Sequence, residues 1–276
     1  MLPSFLLSVR EGLEAALIIG IVLGALRKMN HPELRAPVWW GTASAAALSL
    51  LTALALVRLG ASLEGTAEQI FEGVTMLLAA GVLTWMIFWM QRQSRSLRGE
   101  LEADVRRAAS RVGRQGLFWL AFFAVLREGV ELALFLTATA LAYEARSNLA
   151  GALLGLAGAA FLGWAIYTST LRLNLRSFFM VTSILLILFA GGLVAHGVHE
   201  LNEVGWIPPI IEHVWDTNTI IAENSTLGTL LTALFGYNGN PSLTEVLATL
   251  GYFFAILVGL RLSSSEMPAP QKAGTG

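Results

Sequence analysis

Seven apolar stretches, each long enough to cross a membrane, constrain this chain more than any other feature. A helix that spans a hydrocarbon core of about 30 Å needs about 20 mostly apolar residues. The stretches occupy residues 4–26, 38–58, 67–90, 117–141, 149–171, 179–201 and 243–262. Of all 276 residues, 55% are hydrophobic and only 13% are charged, which is too apolar for a water-soluble domain. We therefore predict an all-α integral membrane protein with seven transmembrane helices.

Charge and residue usage exclude several functions. The 18 basic and 19 acidic side chains give a net charge of −1, so the chain has no basic field with which to bind nucleic acid. It contains no cysteine, which excludes disulfides, zinc–thiolate sites and iron–sulfur clusters. Neither Lys28 nor Lys272 lies in a Gly-rich phosphate-binding loop. We expect no nucleotide hydrolysis, no organic cofactor and no nucleic-acid partner; membrane lipid is the expected surrounding.

A five-residue motif occurs twice. The REGLE segment, residues 10–14 in the first span, recurs as the REGVE segment, residues 127–131 in the fourth span, 117 positions later. Because the first and fourth of seven successive spans cross the membrane in opposite directions, the two copies belong to inverted repeats. Transporters built from inverted repeats place the substrate site near the membrane midplane, between the repeats. We predict two inverted three-helix repeats plus a seventh helix.

The repeat and the distribution of charge divide the chain into six parts. These are repeat 1 (1–90), a charged cytoplasmic linker (91–116), repeat 2 (117–201), an extracytoplasmic acidic loop (202–242), the seventh helix (243–262) and a disordered cytoplasmic tail (263–276). Of the 18 basic residues, 14 follow spans one, three, five or seven, whereas the acidic loop has none. The positive-inside rule then places the N-terminus outside and the C-terminus in the cytoplasm. We predict a multi-pass protein of the cytoplasmic (inner) membrane.

The two motif segments put six charged side chains inside the membrane. Residues three and four positions apart share a helical face, so each segment presents one arginine beside two glutamates. An ionised side chain at the bilayer centre costs about 2.5–3.5 kcal/mol on insertion scales and usually marks a transport pathway. Four glutamates and two arginines leave two negative charges over, which a structural network should avoid. The alternative is that each arginine neutralises a glutamate and that the clusters only hold the bundle together.

The surplus negative charge predicts a cation site. Carboxylate oxygens are hard ligands, which suit Mg, Ca, Mn or oxidised iron rather than Cu(I). An adjacent arginine favours the ionised form of a carboxylate and so keeps it able to bind metal. The predicted metal ligands are Glu11, Glu14, Glu128 and Glu131, and the charge-balancing residues are Arg10 and Arg127.

Two further groups lie where the outer face of the membrane is predicted. Glu64, Glu68 and Glu72 recur every four residues from the outer loop into span three, a pattern typical of an entrance path for cations, and Glu68 and Glu72 are predicted ligands. A weaker predicted metal site, at the outer end of span six, comprises His196, His199 and Glu200, with Glu203 on the same face. The alternatives are a solvated helix end for the glutamates and ordinary interfacial residues for the histidines.

The paired motif resembles that of the oxidase-dependent iron permease family, which comprises fungal high-affinity iron permeases and bacterial EfeU-type permeases. The resemblance covers essentially the whole chain and includes both motif segments, Phe71-Glu72-Gly73 in span three and Trp215-Asp216 before span seven. It implies uptake of ferric iron made by a separate oxidase, with the motif glutamates binding iron during passage. It also implies an extracytoplasmic iron oxidase or iron-delivery protein as a partner. The chain lacks the long glutamate-rich tail of the fungal members and is closer to the bacterial type.

These observations favour an iron permease and not an enzyme, with iron as the transported substrate. One alternative is a permease for another divalent metal. A second is a membrane-embedded, carboxylate-bridged metal oxidoreductase, since glutamate-rich paired helices also build di-iron centres in helical bundles. Those centres use Glu-x-x-His pairs, and neither motif segment contains histidine. A third alternative is a structural subunit that anchors an oxidase through the 202–242 loop.

Overall fold

The chain folds into long α-helices. The computed structural model describes residues 1–93, 103–105, 107–108, 113–142, 145–168, 174–222 and 225–265. Its helices are α1 (Leu2–Lys28), α2 (Arg35–Gly60), α3 (Thr66–Gln93), α4 (Arg114–Ala142), α5 (Ala145–Tyr167), α6 (Leu175–Glu203), α7 (Thr226–Phe235) and α8 (Leu243–Ser265). No strand occurs among the described residues. The prediction of an all-α protein is confirmed.

Seven of these helices are long, and each overlaps one of the seven predicted spans. Within the described residues, five segments are long and apolar enough to cross a membrane: Pro32–Gly60, Thr66–Met90, Ser147–Ile166, Ser177–Glu203 and Leu243–Leu262. The other two long helices, α1 and α4, are those whose apolar sequence is interrupted by the charged motif segments. The structure is that of a membrane protein, and the count of seven crossings stays a prediction.

The predicted acidic loop contains a helix that the sequence analysis did not anticipate. Helix α7 begins after Ser225, whose hydroxyl accepts a hydrogen bond from the amide of Gly228 at 2.9 Å, and ends at Gly236. Gly236 has a φ of +65° and packs against the backbone of Gly192 in α6, a position that only glycine fills without strain. At ten residues, α7 is too short to span a membrane, which is why a search for spans overlooks it.

Parts of several predictions concern residues outside the described ranges, among them residues 169–171 of the predicted fifth span. In the predicted linker, the described residues 103–105 and 107–108 are helical, Asp104 and Arg107 form an exposed ion pair at 2.9 Å, and Val105 is buried. The remaining linker residues 94–102, 106 and 109–112 lie outside the described residues, as does Glu223 of the acidic loop. The predicted disordered tail starts too early, because α8 continues through residues 263–265; residues 266–276 are not described.

The helices pair in the pattern that a twofold repeat of three helices produces. The three most extensive contacts join α1 to α5, α2 to α4 and α3 to α6, and α1 also packs on α4. If α1, α2 and α3 are equivalent to α4, α5 and α6, exchanging the repeats converts the α1–α5 contact into the α4–α2 contact. It leaves α3–α6 and α1–α4 unchanged. The pairing therefore supports the predicted repeats and brings the two motif helices together.

Small residues let the paired helices approach closely. A Cβ atom on Gly151 would collide with the start of α1 at Met1 and Ser4, and one on Gly163 would lie 2.6 Å from the Cβ of Ala16. Residue numbers at the contacts therefore increase in the same direction along both helices, so α1 and α5 are parallel. This is the small-xxx-small packing seen in membrane helices. Gly20 and Gly24 continue the same spacing in α1 but have open space around their Cα atoms.

Replacing Gly73 by alanine is expected to destabilise the bundle. The added methyl carbon would lie 2.9 Å from the backbone oxygen of Gly197, where α3 crosses α6, and a backbone atom cannot move aside cheaply. Overpacking of this kind costs about 1–3 kcal/mol. Gly81, in the same helix, has nothing within 4 Å of the corresponding position, so Gly81→Ala serves as the matched control. Thermal unfolding in detergent compares them; equal melting temperatures would contradict the packing argument.

Candidate metal centre

Carboxylates from both motif segments meet in the interior of the bundle. Oxygens of Glu11, Glu128 and Glu131 lie within 4.8 Å of one another, and these residues are only 1%, 5% and 8% exposed. Within the described part of the chain, this is the one group of three or more acidic or histidine side chains whose ligand atoms are that close. Glu11 comes from α1 and the other two from α4, so the centre is shared between the two halves of the chain.

Two of the four motif glutamates are paired with the motif arginines. Arg10 Nε lies 3.2 Å from Glu14 Oε1, and Arg127 Nε donates a hydrogen bond of 2.9 Å to Glu131 Oε1. Each pair is four residues apart on one helix, as the motif spacing predicts. The structure therefore shows the same arginine–glutamate pair in each half.

The other two motif glutamates, Glu11 and Glu128, have no arginine partner among the described ion pairs. Both side-chain oxygens of Glu11 and one oxygen of Glu128 are buried with no hydrogen-bond partner among the described residues. A buried carboxylate without partners is costly, because nothing replaces the water that it loses. The two glutamates that the charge count leaves without an arginine are thus Glu11 and Glu128, at the point where α1 and α4 face each other.

Glu14 stands apart from the other three glutamates. It is not a member of the group within 4.8 Å, and its side chain, 11% exposed, is held by Arg10. Sequence reasoning treated Glu14 and Glu131 as equivalent, since each occupies the last position of its motif. The structure brings Glu131 into the centre and leaves Glu14 beside it.

The two arginines have different surroundings. Arg10 is fully buried, and its Nη2 atom lies 2.9 Å from the sulfur of Met90, while its Nη1 atom has no partner among the described residues. The side chain of Arg127 is 34% exposed and lies over two indole rings, with its Cζ atom 4.2 Å from the Trp89 centroid and 5.5 Å from that of Trp85. These neighbours all come from α3. No sequence pattern linked them to the motif.

Glycine within each motif explains how the charged faces come together. A Cβ on Gly12 would lie 2.7 Å from the Cβ of Ala159 in α5, and one on Gly129 would overlap the Ser49 side chain in α2. The glycine face of each motif helix therefore packs tightly on a neighbouring helix. The glutamates occupy other faces and are free to point toward the partner motif.

The predicted entrance glutamates lie where the N-terminal end of α3 meets the C-terminal end of α6, the ends that are predicted to be outer. Glu72 is half-buried, and the charges of Glu200 and Glu68 both act on it. Gln69 donates a hydrogen bond to Glu203, which joins the two helix ends. Glu64 and Glu68 are exposed. The glutamates are thus neighbours, yet no three of their ligand atoms converge as those of Glu11, Glu128 and Glu131 do within the described residues.

The predicted histidine ligands make protein contacts of their own. The Nδ1 atom of His196 lies 3.0 Å from the carbonyl oxygen of Gly192, one turn earlier in α6. His199 lies between two carboxylates, with Nδ1 3.0 Å from Glu245 Oε1 and Nε2 3.4 Å from Glu203 Oε1. The structure therefore does not bring His196, His199 and Glu200 together as a group of ligands.

Glu245 is the residue near this outer end that sequence reasoning missed. It is 3% exposed and accepts hydrogen bonds from Asn238 Nδ2 at 2.9 Å and from the Ser242 amide at 3.2 Å, besides its contact with His199. The amide of Glu245 in turn bonds to the Ser242 hydroxyl, which completes a capping box at the start of α8. The S-x-x-E spacing could have revealed the cap, but nothing in the sequence indicates the link to His199.

The chemistry of the centre is that of a hard cation site. Three carboxylates converge in a buried volume where electrostatic attraction is weakly screened, and carboxylate oxygen is a ligand for iron, manganese, magnesium or calcium. Two of the three converging carboxylates have no arginine partner, so a bound cation would supply the positive charge that the described ion pairs do not. A ligand set made of oxygen alone also differs from the Glu-x-x-His pairs of di-iron oxidoreductases.

Comparison with known proteins agrees with this chemistry. Residues 1–267 match the profile of the iron permease FTR1 family. The chain is 35% identical over 267 residues to the ferrous iron permeases EfeU of Shigella sonnei (strain Ss046) and Escherichia coli O157:H7, covering 95% of this chain and 96% of each relative. It is 33% identical over 260 residues to the ferrous iron permease EfeU of Yersinia pestis, covering 94% and 92%. No solved structure matches the chain. This chain belongs to the iron permease FTR1 family, a family of transporters and not of enzymes.

Proposed function

We propose that this protein carries iron across the cytoplasmic membrane into the cell, and that Glu11, Glu128 and Glu131 bind the ion during passage. The observation that carries the proposal is the meeting of Glu11 and Glu128 from opposite repeats, both buried and neither paired with an arginine. A site shared between inverted repeats is what a transporter needs, because movement of one repeat against the other exposes it to either side.

The path begins at the outer ends of α3 and α6. Glu68 and Glu72 lie there beside Glu200, and together they form a region of negative charge that attracts cations. Iron passes from this region to the buried carboxylates and leaves toward the cytoplasm. The direction depends on the orientation that the basic residues predict, with the N-terminus outside and the C-terminus inside.

The oxidation state of the transported iron has two candidates. The family resemblance implies ferric iron supplied by an extracytoplasmic oxidase or iron-delivery protein. Two observations favour ferrous iron: two glutamates of the centre have no arginine partner, and their ionised forms would balance a divalent ion; and the EfeU relatives are named ferrous iron permeases. Because the charge balance does not depend on which divalent ion is bound, other divalent metals remain alternatives.

Flux into liposomes that contain only this chain tests the proposal. We expect radioactive Fe²⁺, kept reduced with ascorbate, to accumulate well above its level in protein-free liposomes. The same flux measurement with Fe³⁺-citrate, Mn²⁺, Mg²⁺ and Ca²⁺ shows which ions the protein transports and in what order of preference. Flux of Fe³⁺ but not Fe²⁺ would support the oxidase-dependent form. Oxygen consumption with Fe²⁺ in the absence of flux would favour the oxidoreductase. Absence of flux for every ion would contradict the permease function of the isolated chain and favour a structural subunit.

A further inference from the structure

Helix α3 contributes an aromatic pair to the centre that the proposed function does not yet use. Trp85 and Trp89 stack on each other with ring centroids 6.4 Å apart, and the guanidinium of Arg127 lies over both rings. Within the described residues, Arg127 is the one motif arginine in such a contact; Arg10 has the sulfur of Met90 instead. The two halves of the centre therefore match in their motifs and differ in what supports the arginine.

The difference between the arginines accompanies a difference between the glutamates. Glu131, the partner of Arg127, belongs to the group of converging carboxylates, whereas Glu14, the partner of Arg10, does not. One oxygen of Glu131 accepts the hydrogen bond from Arg127, and the other is buried without a partner in the described structure. Glu131 is thus held by its arginine on one side and available to a cation on the other.

A cation bound at the free oxygen of Glu131 weakens the contact that the other oxygen makes with Arg127. The guanidinium and the metal are both positive, so they repel each other across the carboxylate that they share. An arginine that loses its carboxylate inside a membrane needs another favourable contact. The faces of two tryptophans provide one, because the negative face of an indole ring attracts a guanidinium.

We propose that Trp85 and Trp89 are positioning residues for Arg127: they hold its guanidinium while Glu131 turns to the cation, so that Glu131 completes the site and Glu14 does not. This inference rests on the proposed function, since it assigns a role within the same centre. Without the indole rings, Glu131 is the only strong partner left to Arg127 among the described contacts, so the pair tightens and the cation binds more weakly.

The test is Trp89→Leu, measured by iron flux into liposomes as a function of iron concentration. A cation–π contact of this kind corresponds to a change of about 2- to 30-fold in affinity. We expect the half-saturating iron concentration to rise within that range with little change in maximal flux. Trp89→Phe keeps an aromatic face and should fall between Trp89→Leu and the native protein. Trp85→Leu should have the smaller effect, because its ring is farther from Arg127.

Two controls separate positioning from a general structural effect. Trp164→Leu removes an equally large side chain, 60% exposed on α5 beside Phe161, and should leave the half-saturating concentration unchanged. In an Arg127→Gln background, Trp89→Leu should cause no further change, because the group that the indole holds is gone. An unchanged half-saturation in Trp89→Leu, or an equal change with and without Arg127, would overturn the proposal. If Trp89→Leu does not reach the membrane, Trp89→Phe and Trp85→Leu provide the same comparison.

The outcomes also distinguish this inference from the proposed function. If Glu11→Gln lowers iron affinity but the tryptophan variants behave as native, only the role of the tryptophans is wrong. If Glu11→Gln transports iron with native affinity, the carboxylate centre itself is wrong, and the tryptophan effect loses its basis.

Discussion

Replacing Glu11 or Glu128 by glutamine is expected to reduce iron uptake to less than about a tenth of the native value at the iron concentration that half-saturates the native protein, while the protein remains folded in the membrane. Glutamine keeps the size of the side chain and removes the charge that no arginine balances. Removing one partner of a buried charge contact costs about 2–5 kcal/mol. Because 1.4 kcal/mol is tenfold, iron affinity should fall roughly 30- to 3,000-fold. Flux in liposomes and binding of radioactive iron to purified protein measure the change.

Thermal unfolding supplies an independent measurement of the same prediction. A ligand present at 100 times its dissociation constant stabilises the folded protein by about 2.7 kcal/mol, so iron should raise the melting temperature of the native protein. At that iron concentration Glu11→Gln should gain less than about 1 kcal/mol. Glu212→Gln, an exposed acid in the outer loop, is the control for loss of one negative charge. If Glu11→Gln and Glu128→Gln each bind iron with native affinity, the iron does not bind to the two glutamates that lack an arginine partner.

The sequence predicted the features of this fold that depend on local pattern. Apolar length located the seven long helices, since a helix in lipid must be apolar over a fixed distance. The motif spacing predicted the Arg10–Glu14 and Arg127–Glu131 pairs, because side chains four residues apart meet on any helix. Counting charge over the motifs predicted two unmatched glutamates, and the structure identifies them as Glu11 and Glu128.

The features that the sequence did not predict depend on contacts between helices. Glu14 and Glu131 look alike in their motifs, yet Glu131 belongs to the converging carboxylates and Glu14 does not, and the indole rings of α3 lie over the arginine that holds Glu131. Trp85 and Trp89 lie on a different helix from Arg127 and 38 or more positions away in the sequence, so no local pattern connects them to it. The contact between His199 and Glu245 joins α6 to α8 across the acidic loop. Helical periodicity relates only residues of the same helix, so it could not predict this contact.

Replacing Arg10 by alanine is expected to cause the largest loss of stability among single substitutions in the centre. The side chain is fully buried, and its removal leaves Glu14 as a third unmatched carboxylate beside Glu11 and Glu128. Breaking a buried ion pair by removing one partner costs about 3–5 kcal/mol, a large share of the roughly 5–15 kcal/mol that stabilises a typical folded protein. Yield after purification and thermal unfolding in detergent measure the loss. Arg127→Ala should cost less, because Arg127 is one-third exposed.

The double variant Arg10→Leu/Glu14→Leu separates charge from packing as the cause of that loss. Replacing both members of a buried pair with apolar residues is often neutral or stabilising, since neither charge then has to leave water. If the unmatched carboxylate destabilises Arg10→Ala, the double variant should recover most of the native melting temperature. It should also retain iron binding, because Glu14 lies outside the group of converging carboxylates. A double variant as unstable as Arg10→Ala would mean that Arg10 acts by filling space, and one that is stable but binds no iron would place Glu14 among the ligands.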